Sequence, residues 1–298
     1  MHRIASTTAV LTMAPGNPAV AVVDPGETLV IETMDCFSNT IQSEDQLFSS
    51  IGWECVNPAT GPIAIRGAEP GDTLKVEVVD IVTAALGTMT THPDYGALPG
   101  TTVERTRRIP VVDGQVVFND TISFPTNVMI GVIGTAPADE DVPTGSPKDH
   151  GGNMDTKKIT TGSTLYLPVN VPGANLAVGD VHAAMGDGEV SVSGLEIAAE
   201  VTLRVDVIKG RPYPLPFLVT GDQVIAIASR TTLDEAVTEA TRMMCDFLVE
   251  STGMDATESL MLLSLTGDLA VSQIVDPLRT ARMELPRSIL ESYGVELM

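Results

Sequence analysis

Residues 73–81 read TLKVEVVDI, and residues 201–207 read VTLRVDV. In the first segment Leu74, Val76 and Val78 alternate with charged residues, and the second segment alternates Val and Leu with polar residues in the same way. A period of two sends successive side chains to opposite faces of a strand, so both segments predict half-buried β-strands. Frequent Gly and Pro residues between such segments are typical of a β-sandwich or a β-barrel.

An internal echo supports this β-structure. Residues 25–35 read PGETLVIETMD, and residues 70–80 read PGDTLKVEVVD. Each copy starts with Pro-Gly, which suits a type II turn, and ends in an aspartate, Asp35 or Asp80. Two copies are too few for a repeat architecture. The echo therefore indicates similar hairpins within one sheet.

The pattern changes to helical periodicity toward the C-terminus. Apolar residues recur three and four positions apart from Leu233 to Leu248, just after Thr232 and Glu235, which have the spacing of a capping box. A second helix is predicted to begin near Asp255. Because an apolar stripe at this spacing is typical of a packed face, it predicts helices that lie against the β-structure.

Together these patterns predict a mainly β protein with α+β character. Residues 1–230 are expected to form a β-rich, sandwich-like or barrel-like body that carries the functional site. Residues 231–298 are expected to form a helical C-terminal layer packed on that body. The two parts would then work as one continuous catalytic unit.

The composition argues against several kinds of partner. The chain has 39 Asp and Glu residues against 17 Lys and Arg residues, and its net charge is −22. Such a surface repels phosphate backbones and anionic lipid headgroups, so neither a nucleic acid nor a membrane is expected as a partner. Three scattered cysteines without a CxxC pair, and an N-terminal segment without the pattern of a signal peptide, favour a reducing cytoplasm.

Candidate chemistry is concentrated between residues 150 and 200. Asp180 and His182 stand two positions apart, so in an extended segment both side chains lie on one face and can hold a divalent ion. The segment HGGNMD carries His150 and Asp155, and its two glycines let a loop fold over the same ion. These residues predict a metal site. They leave open Zn²⁺, which His favours, and Ca²⁺, Mg²⁺ or Mn²⁺, which carboxylates favour.

A longer motif around these residues resembles a known family. Residues 150–196 read HGGNMDTKKITTGSTLYLPVNVPGANLAVGDVHAAMGDGEVSVSGLE, which is similar to the signature region of the acetamidase/formamidase family. That pattern has HGGN-x-D, a Gly-Ser-x-Leu-x-Leu-Pro-Val strand, GD-x-H, GDGE and a following Glu, and all stand here in order. NPATGPIAIRGAEPGDTLKVEV at residues 57–78 and GDLAVSQIVDP at residues 267–277 also fit.

The resemblance implies hydrolysis of a short, neutral, linear amide, such as formamide or acetamide, to a carboxylate and ammonia. It also implies a β-sandwich-like fold, a homo-oligomer of two or more chains, and a divalent metal centre. Zn²⁺ is the expected ion, and a dinuclear site with Ca²⁺ or another divalent ion is the variant. Carried over position by position, the implied ligands are Asp35, His150, Asp155, Asp180 and His182.

Four further residues complete the expected site. The resemblance makes Glu189 the first candidate for the general base, with Glu196 the second candidate and also a bridging ligand. Asn153 is expected either to orient the substrate through its amide or only to shape the turn. Cys36 is expected to be a buried structural cysteine first, a residue of the substrate pocket second and a nucleophile third, because Asp35 beside it disfavours a thiolate.

Two other functions stay open at this point. One is a metal hydrolase for a cyclic or N-substituted amide or for a carbamate. The other is a non-catalytic β-rich protein whose acidic residues hold a calcium-like ion for stability. The chain has no G-x-S-x-G motif, so a serine hydrolase of the α/β type lacks its usual marker.

Overall fold

The computed structural model describes residues 2–210 and 212–298, in which strands predominate over helices. The strands are β1 (His2–Ile4), β2 (Ala9–Val10), β3 (Thr12–Met13), β4 (Ala21–Val23), β5 (Thr28–Thr33), β6 (Ala59–Ile65), β7 (Thr73–Thr83), β8 (Leu86–Thr91), β9 (Arg105–Val112), β10 (Gln115–Val117), β11 (Ser123–Pro125), β12 (Met129–Gly134), β13 (Val142–Pro143), β14 (Gly151–Asn153), β15 (Thr164–Pro168), β16 (Leu176–His182), β17 (Ala199–Ile208), β18 (Phe217–Val219), β19 (Gln223–Arg230), β20 (Asp268–Gln273) and β21 (Arg279–Pro286). The α-helices are α1 (Leu233–Thr252), α2 (Ala256–Thr266) and α3 (Arg287–Ser292), and short 3-10 helices span Ser6–Thr8, Phe48–Ser50 and Trp53–Cys55.

The larger of the two main sheets contains the segments that predicted the fold. Its strand order is β1-β5-β17-β7-β15-β18-β19-β21-β20. Strands β7 and β17 are antiparallel neighbours, with Leu203 opposite Val78, and the echo strand β5 lies on the other side of β17. Gly26 and Gly71 have φ angles of 84° and 98°, which the predicted Pro-Gly turns require.

A second sheet shares its hydrophobic core with the first. Its order is β14-β12-β16-β6-β2, with β4 paired to β6 outside that path. One buried cluster joins residues of the larger sheet, such as Val76 and Leu203, to residues of the second, such as Ile133 and Val178. Two sheets around one core form a sandwich, and neither closes into a barrel in the described residues. The predicted fold class, mainly β with helices near the C-terminus, is confirmed.

Strands at the centre of the second sheet are buried on both faces. Every residue of β12 and every residue of β16 is buried. A strand in that position reads as continuously apolar unless it carries functional groups. Polar residues on β16 are therefore held in the interior of the molecule.

The C-terminal region is built from helices and strands together. Thr232 and Glu235 form the predicted capping box of α1, and Asp255 caps α2. The same region also supplies β20 and β21, which extend the larger sheet. Ala281, Met283 and Leu285 alternate with Arg282 and Glu284 along β21, a strand pattern that the predicted helical layer overlooked, and six consecutive residues of the strand are buried. Among the described residues, no helix combines the length with the apolar content that crossing a bilayer requires.

Candidate active site and metal centre

Six ionisable side chains from separate parts of the chain meet in the interior of the protein. Strand β16 contributes two, the turn after β14 one, the segment between β16 and β17 two, and the β20–β21 connection one. Five of them are buried and the sixth is half-buried. We call this set the carboxylate–histidine cluster; its members are Asp155, Asp180, His182, Glu189, Glu196 and Asp276.

The imidazole of His182 stands at the centre of the cluster. Its Nε2 atom lies 3.2 Å from Oε2 of Glu196, 3.5 Å from Oδ2 of Asp180 and 3.7 Å from Oδ1 of Asp155. The predicted juxtaposition of Asp180 and His182 is therefore present, and Asp155 joins them across the turn after β14. One imidazole cannot form a good hydrogen bond to three carboxylates with one nitrogen.

Backbone hydrogen bonds position Glu196 in the cluster. Its N–H donates to the carbonyl of Thr88 at 2.9 Å, and its carbonyl accepts from the N–H of Thr88 at 2.8 Å. On its other side it forms an isolated β-bridge to His182. Glu196 is thus fixed between two strands, which is the rigid support that a functional side chain needs.

Two glycines leave room for the cluster. A Cβ atom on Gly131 would lie 2.5 Å from Oδ1 of Asp155 and 2.5 Å from Oδ2 of Asp180. A Cβ atom on Gly194 would lie 2.5 Å from Nδ1 of His182. Real Cβ contacts are not this short, so larger residues at either position would displace the ionisable groups.

Three carboxylates of the cluster are attached to strained backbone. The φ angles are 40° at Asp155, 53° at Asp180 and 48° at Glu189. Residues other than glycine avoid this left-handed region, at a cost of order 1 kcal/mol or more each. Such strain persists where surrounding structure enforces it, and it is concentrated at functional sites.

Many atoms of the cluster are buried without a hydrogen-bond partner among the described residues. They include both imidazole nitrogens of His182 and one carboxylate oxygen on each of the five acidic residues. Each buried polar atom without a hydrogen-bond partner lowers the stability of the fold by about 1–3 kcal/mol. So many such atoms in one place indicate that the cluster binds a further partner. Because nearly all of them are acceptors, the missing partner is a cation or a set of protons.

The electrostatics support the same conclusion. Burial first, and then the charge of Asp180, raises the pKa of Asp155 to about 7. Burial also raises the pKa of Glu196 to about 8 and holds the pKa of Glu189 well above its ordinary value. Burial lowers the pKa of His182, but the charges of Glu196 and Asp180 outweigh it and raise that pKa well above 6.5. Without a cation the cluster holds protons, and a divalent ion would replace them.

The donor atoms fall into two adjacent groups that could each hold a metal ion. One group is Cys36, Asp180 and Glu196, and the other is Asp155, His182 and Glu189. Within each group the ligand atoms lie within 4.8 Å of one another. A thiol, an imidazole and carboxylates suit Zn²⁺ or a related ion, and two neighbouring groups suit one or two ions.

A cavity of about 780 Å³ leads to the cluster. Cys36, Asn153 and Glu189 line it, together with Asp180 and Glu196. Burial first, and then the charges of Glu196 and Asp180, raises the pKa of the Cys36 thiol well above its ordinary value. The two residues expected to contact a substrate, Asn153 and Cys36, therefore share a cavity with the two candidate bases.

Asp276 and Asn57 belong to the site but were not singled out from the sequence. Asn153 donates from Nδ2 to Oδ1 of Asp276 at 3.1 Å, and Asn57 donates from Nδ2 to Oδ2 of Asp180 at 3.4 Å. The side chain of Gln273 folds the connection that carries Asp276, by accepting from the N–H groups of residues 275 and 276. The available signal was the place of Asp276 in the run GDLAVSQIVDP, which also fits the family pattern.

Two expected ligands occupy different surroundings. His150 lines a separate cavity of about 580 Å³ with Arg230 and Glu239, and burial lowers its pKa to about 4. Asp35 uses Oδ1 to accept from the N–H groups of Phe37 and Asn39, at 3.1 and 2.7 Å, so it caps the turn that carries Cys36. The structure does not bring His150 into the cluster, and it places Asp35 beside the cluster rather than in it.

Comparison with known proteins gives the same family over nearly the whole chain. A model of the acetamidase/formamidase family matches residues 12–144 and 138–292. The crystal structure of an acetamidase from Bacillus halodurans is 46% identical, covers 98% of this chain and 100% of that one, and has a TM-score of 0.97. A predicted acetamidase/formamidase from Thermoanaerobacter tengcongensis is 43% identical, covers 99% of both chains and has a TM-score of 0.96.

The curated relatives are more distant in sequence. The formamidase of Methylophilus methylotrophus is 27% identical, and the match covers 65% of this chain and 63% of that protein. The chain therefore spans less than two thirds of the length of this relative.

Proposed function

Because the chain belongs to the acetamidase/formamidase family, we propose that it is a hydrolase that releases ammonia from linear amides. The reaction is R–CO–NH₂ + H₂O → R–COO⁻ + NH₄⁺. The observation that supports it is the buried carboxylate–histidine cluster at the end of an open cavity, with unpartnered acceptor atoms on every member.

We further propose that the reaction depends on a divalent metal. His182 would hold the ion together with Asp155 and Asp180, whose carboxylate oxygens lie within 3.7 Å of the imidazole Nε2. When two ions bind, Asp180 would belong with Cys36 and Glu196 to the second group. When bound, such an ion polarises a carbonyl oxygen and lowers the pKa of a neighbouring water from 15.7 to about 7. Zn²⁺ fits the imidazole and the thiol. The homo-oligomer and the cytoplasmic location stay predictions.

The chain's own side chains would perform the proton transfers. Glu189 faces the cavity with one buried, unpartnered oxygen, so it can accept a proton from the attacking water and pass it to the leaving nitrogen. Its raised pKa, caused first by burial, suits a group that must accept and release a proton in one cycle.

Asn153 has the geometry to orient the amide. Its Nδ2 is engaged by Asp276, and this bond fixes the side chain so that Oδ1, buried and unpartnered, is the free acceptor. An acceptor in that position can receive a hydrogen bond from the NH₂ group of a primary amide. An ester of the same shape cannot supply that donor and would bind less well.

Ammonia release from formamide and acetamide, measured with metal-replete and chelator-treated protein alongside metal analysis, tests the proposal. We expect release that disappears with the metal and returns when Zn²⁺ or another divalent ion is restored. Full activity in protein verified to be metal-free would rule out the metal-dependent mechanism. No ammonia from any linear amide, with metal bound, would rule out the proposed reaction.

A further inference from the structure

One wall of the active-site cavity is aromatic. The chain has only 1 Trp, 4 Tyr and 6 Phe residues, yet Phe37, Phe48, Trp53 and Tyr95 all line this cavity. The four rings form a row in which each ring contacts the next edge-to-face. The ring centroids are 5.9 Å apart for Phe37 and Phe48, 4.8 Å for Phe48 and Trp53, and 5.4 Å for Trp53 and Tyr95. We call these four residues the aromatic wall.

The aromatic wall is buried at one end and exposed at the other. Phe37 and Phe48 are 1% and 7% exposed, whereas Trp53 and Tyr95 are 59% and 39% exposed. Exposed large apolar side chains at the edge of a cavity with polar groups in its floor mark a binding site rather than ordinary packing. The two exposed rings therefore present a surface that nothing in the described residues covers.

The cavity is much larger than the smallest amides. Formamide or acetamide fills roughly two or three times the ~30 Å³ that one water molecule occupies in the liquid. The cavity measures about 780 Å³, which falls in the range of pockets that enclose ligands of drug size, roughly 300–1,000 Å³. The aromatic wall lines part of the space that such a small amide leaves free.

Charge limits what can occupy that space. Among the described residues that line the cavity, five are acidic, including Glu54 at the rim, and one, Arg279, is basic. The guanidinium of Arg279 donates to the carbonyl of Asp276. Four of these acids belong to the cluster, where protons or a cation would compensate their charge, but Glu54 stands next to Trp53 in the aromatic wall. An anionic substituent beside the wall would therefore be repelled by Glu54, and a neutral one is favoured.

We propose that the aromatic wall binds the acyl substituent of the substrate, so that the preferred substrates are primary amides bearing a neutral, planar, apolar group such as an aryl ring. This inference rests on the proposed function, because ammonia is the leaving group only if the substituent is on the acyl carbon. The amide C–N bond breaks, water supplies the new C–O bond, and the aryl group takes no part in the chemistry. Aromatic rings prefer edge-to-face contacts, which Trp53 and Tyr95 can offer to such a group.

Substrate selectivity gives the first test. Ammonia release is measured with acetamide, 2-phenylacetamide and the anionic succinamic acid, for the wild type and for Trp53→Ala. We expect the ratio of kcat/KM for phenylacetamide over acetamide to be about tenfold or more, and to fall about tenfold in Trp53→Ala. Tyr293→Ala is the matched control, since Tyr293 is 52% exposed and lies outside this cavity, and it should leave the ratio unchanged.

Fluorescence gives a second test that needs no turnover. Trp53 is the only tryptophan of the chain, so indole emission reports on the wall alone. On rapid mixing, before product accumulates, phenylacetamide should change the emission with a saturable dependence on concentration. Acetamide should give at most a weak, linear collisional effect.

The two tests separate this inference from the proposed function. Ammonia from acetamide, with no preference for phenylacetamide and no effect of Trp53→Ala on the ratio, would overturn the role of the wall while the reaction stands. A saturable change in Trp53 emission with phenylacetamide, but no ammonia from either amide, would contradict the proposed reaction and support binding at the aromatic wall. Emission that responds linearly to both amides would also contradict the proposal that the aromatic wall binds the acyl substituent. That result is expected if another chain covers Trp53.

Discussion

Arg282 holds Asp187 through two parallel hydrogen bonds, from Nη1 to Oδ1 and from Nη2 to Oδ2, each 2.8 Å long. The arginine side chain is 2% exposed, and its Nε donates to Glu284 on the same strand. Asp187 stands two positions before Glu189 in the run GDGE, and the neighbouring Gly188 bonds through its N–H to Ser272 on β20. The ion pair thus ties the loop that carries the candidate base to the edge of the larger sheet.

Arg282→Met is therefore expected to weaken both stability and turnover. The methionine fills much of the volume but leaves Glu284 buried without its guanidinium, and loss of one partner of a buried pair costs about 3 kcal/mol. Urea unfolding measures this loss. Arg66→Met is the control, because the pair of Arg66 and Asp24 is 67% and 59% exposed and contributes about 1 kcal/mol or less. Equal losses in the two variants would contradict the anchoring role of Arg282.

Sequence patterns predicted those parts of the site that local geometry determines. The spacing of two in β16 predicted that Asp180 and His182 lie close, and they do, although the left-handed φ of Asp180 interrupts the regular extended backbone of that strand. Asp155 needed only a turn at positive φ after two glycines, which the sequence supplies. The fold followed from the same kind of pattern, since β7 and β17 alternate and pair with each other.

Other parts of the site depend on contacts between distant segments. Asp276 reaches Asn153 because the β20–β21 hairpin joins the larger sheet, and a local sequence pattern does not specify which distant strand β21 pairs with. His150 lies three positions before Asn153 in the same motif, yet the short strand β14 directs it to another cavity. A motif gives the order of residues along the chain, but not which face of the sheet each one occupies.

Metal binding should stabilise the fold. A ligand that binds only the native state, at a free concentration 100-fold above its Kd, adds about 2.7 kcal/mol to the free energy of unfolding. We expect a chelator to lower the Tm and added Zn²⁺ to restore it, as measured by calorimetry with parallel metal analysis. His182→Ala should abolish this response, because Nε2 faces three carboxylates.

His150→Ala makes the complementary prediction. Because His150 lines the cavity of about 580 Å³ and not the cluster, the variant should keep its full metal content and its response to the chelator. Loss of metal from His150→Ala, in protein that otherwise unfolds like the wild type, would mean that His150 is a ligand as the sequence motif first suggested.

Gly131→Ala should damage the cluster without touching an ionisable group. The added methyl would lie 2.5 Å from an oxygen of Asp155 and 2.5 Å from an oxygen of Asp180, both on strained backbone that cannot easily move. We expect metal affinity to fall at least tenfold, or by about 1.4 kcal/mol, in a titration followed by calorimetry. Gly16→Ala is the control, since nothing lies within 4 Å of its added Cβ. Unchanged affinity in Gly131→Ala would show that the carboxylates do not act in the arrangement described.

Glu189→Gln separates proton transfer from metal binding. Glutamine keeps the size and one acceptor oxygen of the side chain but cannot take the proton of the attacking water, so kcat should fall about 10²- to 10⁴-fold. KM should change little, because the substrate amide is oriented by Asn153 rather than by Glu189. Metal content, measured on the same samples, should stay at the wild-type level if Asp155 and His182 provide the remaining ligands of that group. Glu250→Gln, an exposed change on α1, controls for the loss of one negative charge. A variant that loses its metal and its activity together would make Glu189 a ligand and move the role of base to Glu196, whose oxygen lies 3.2 Å from His182.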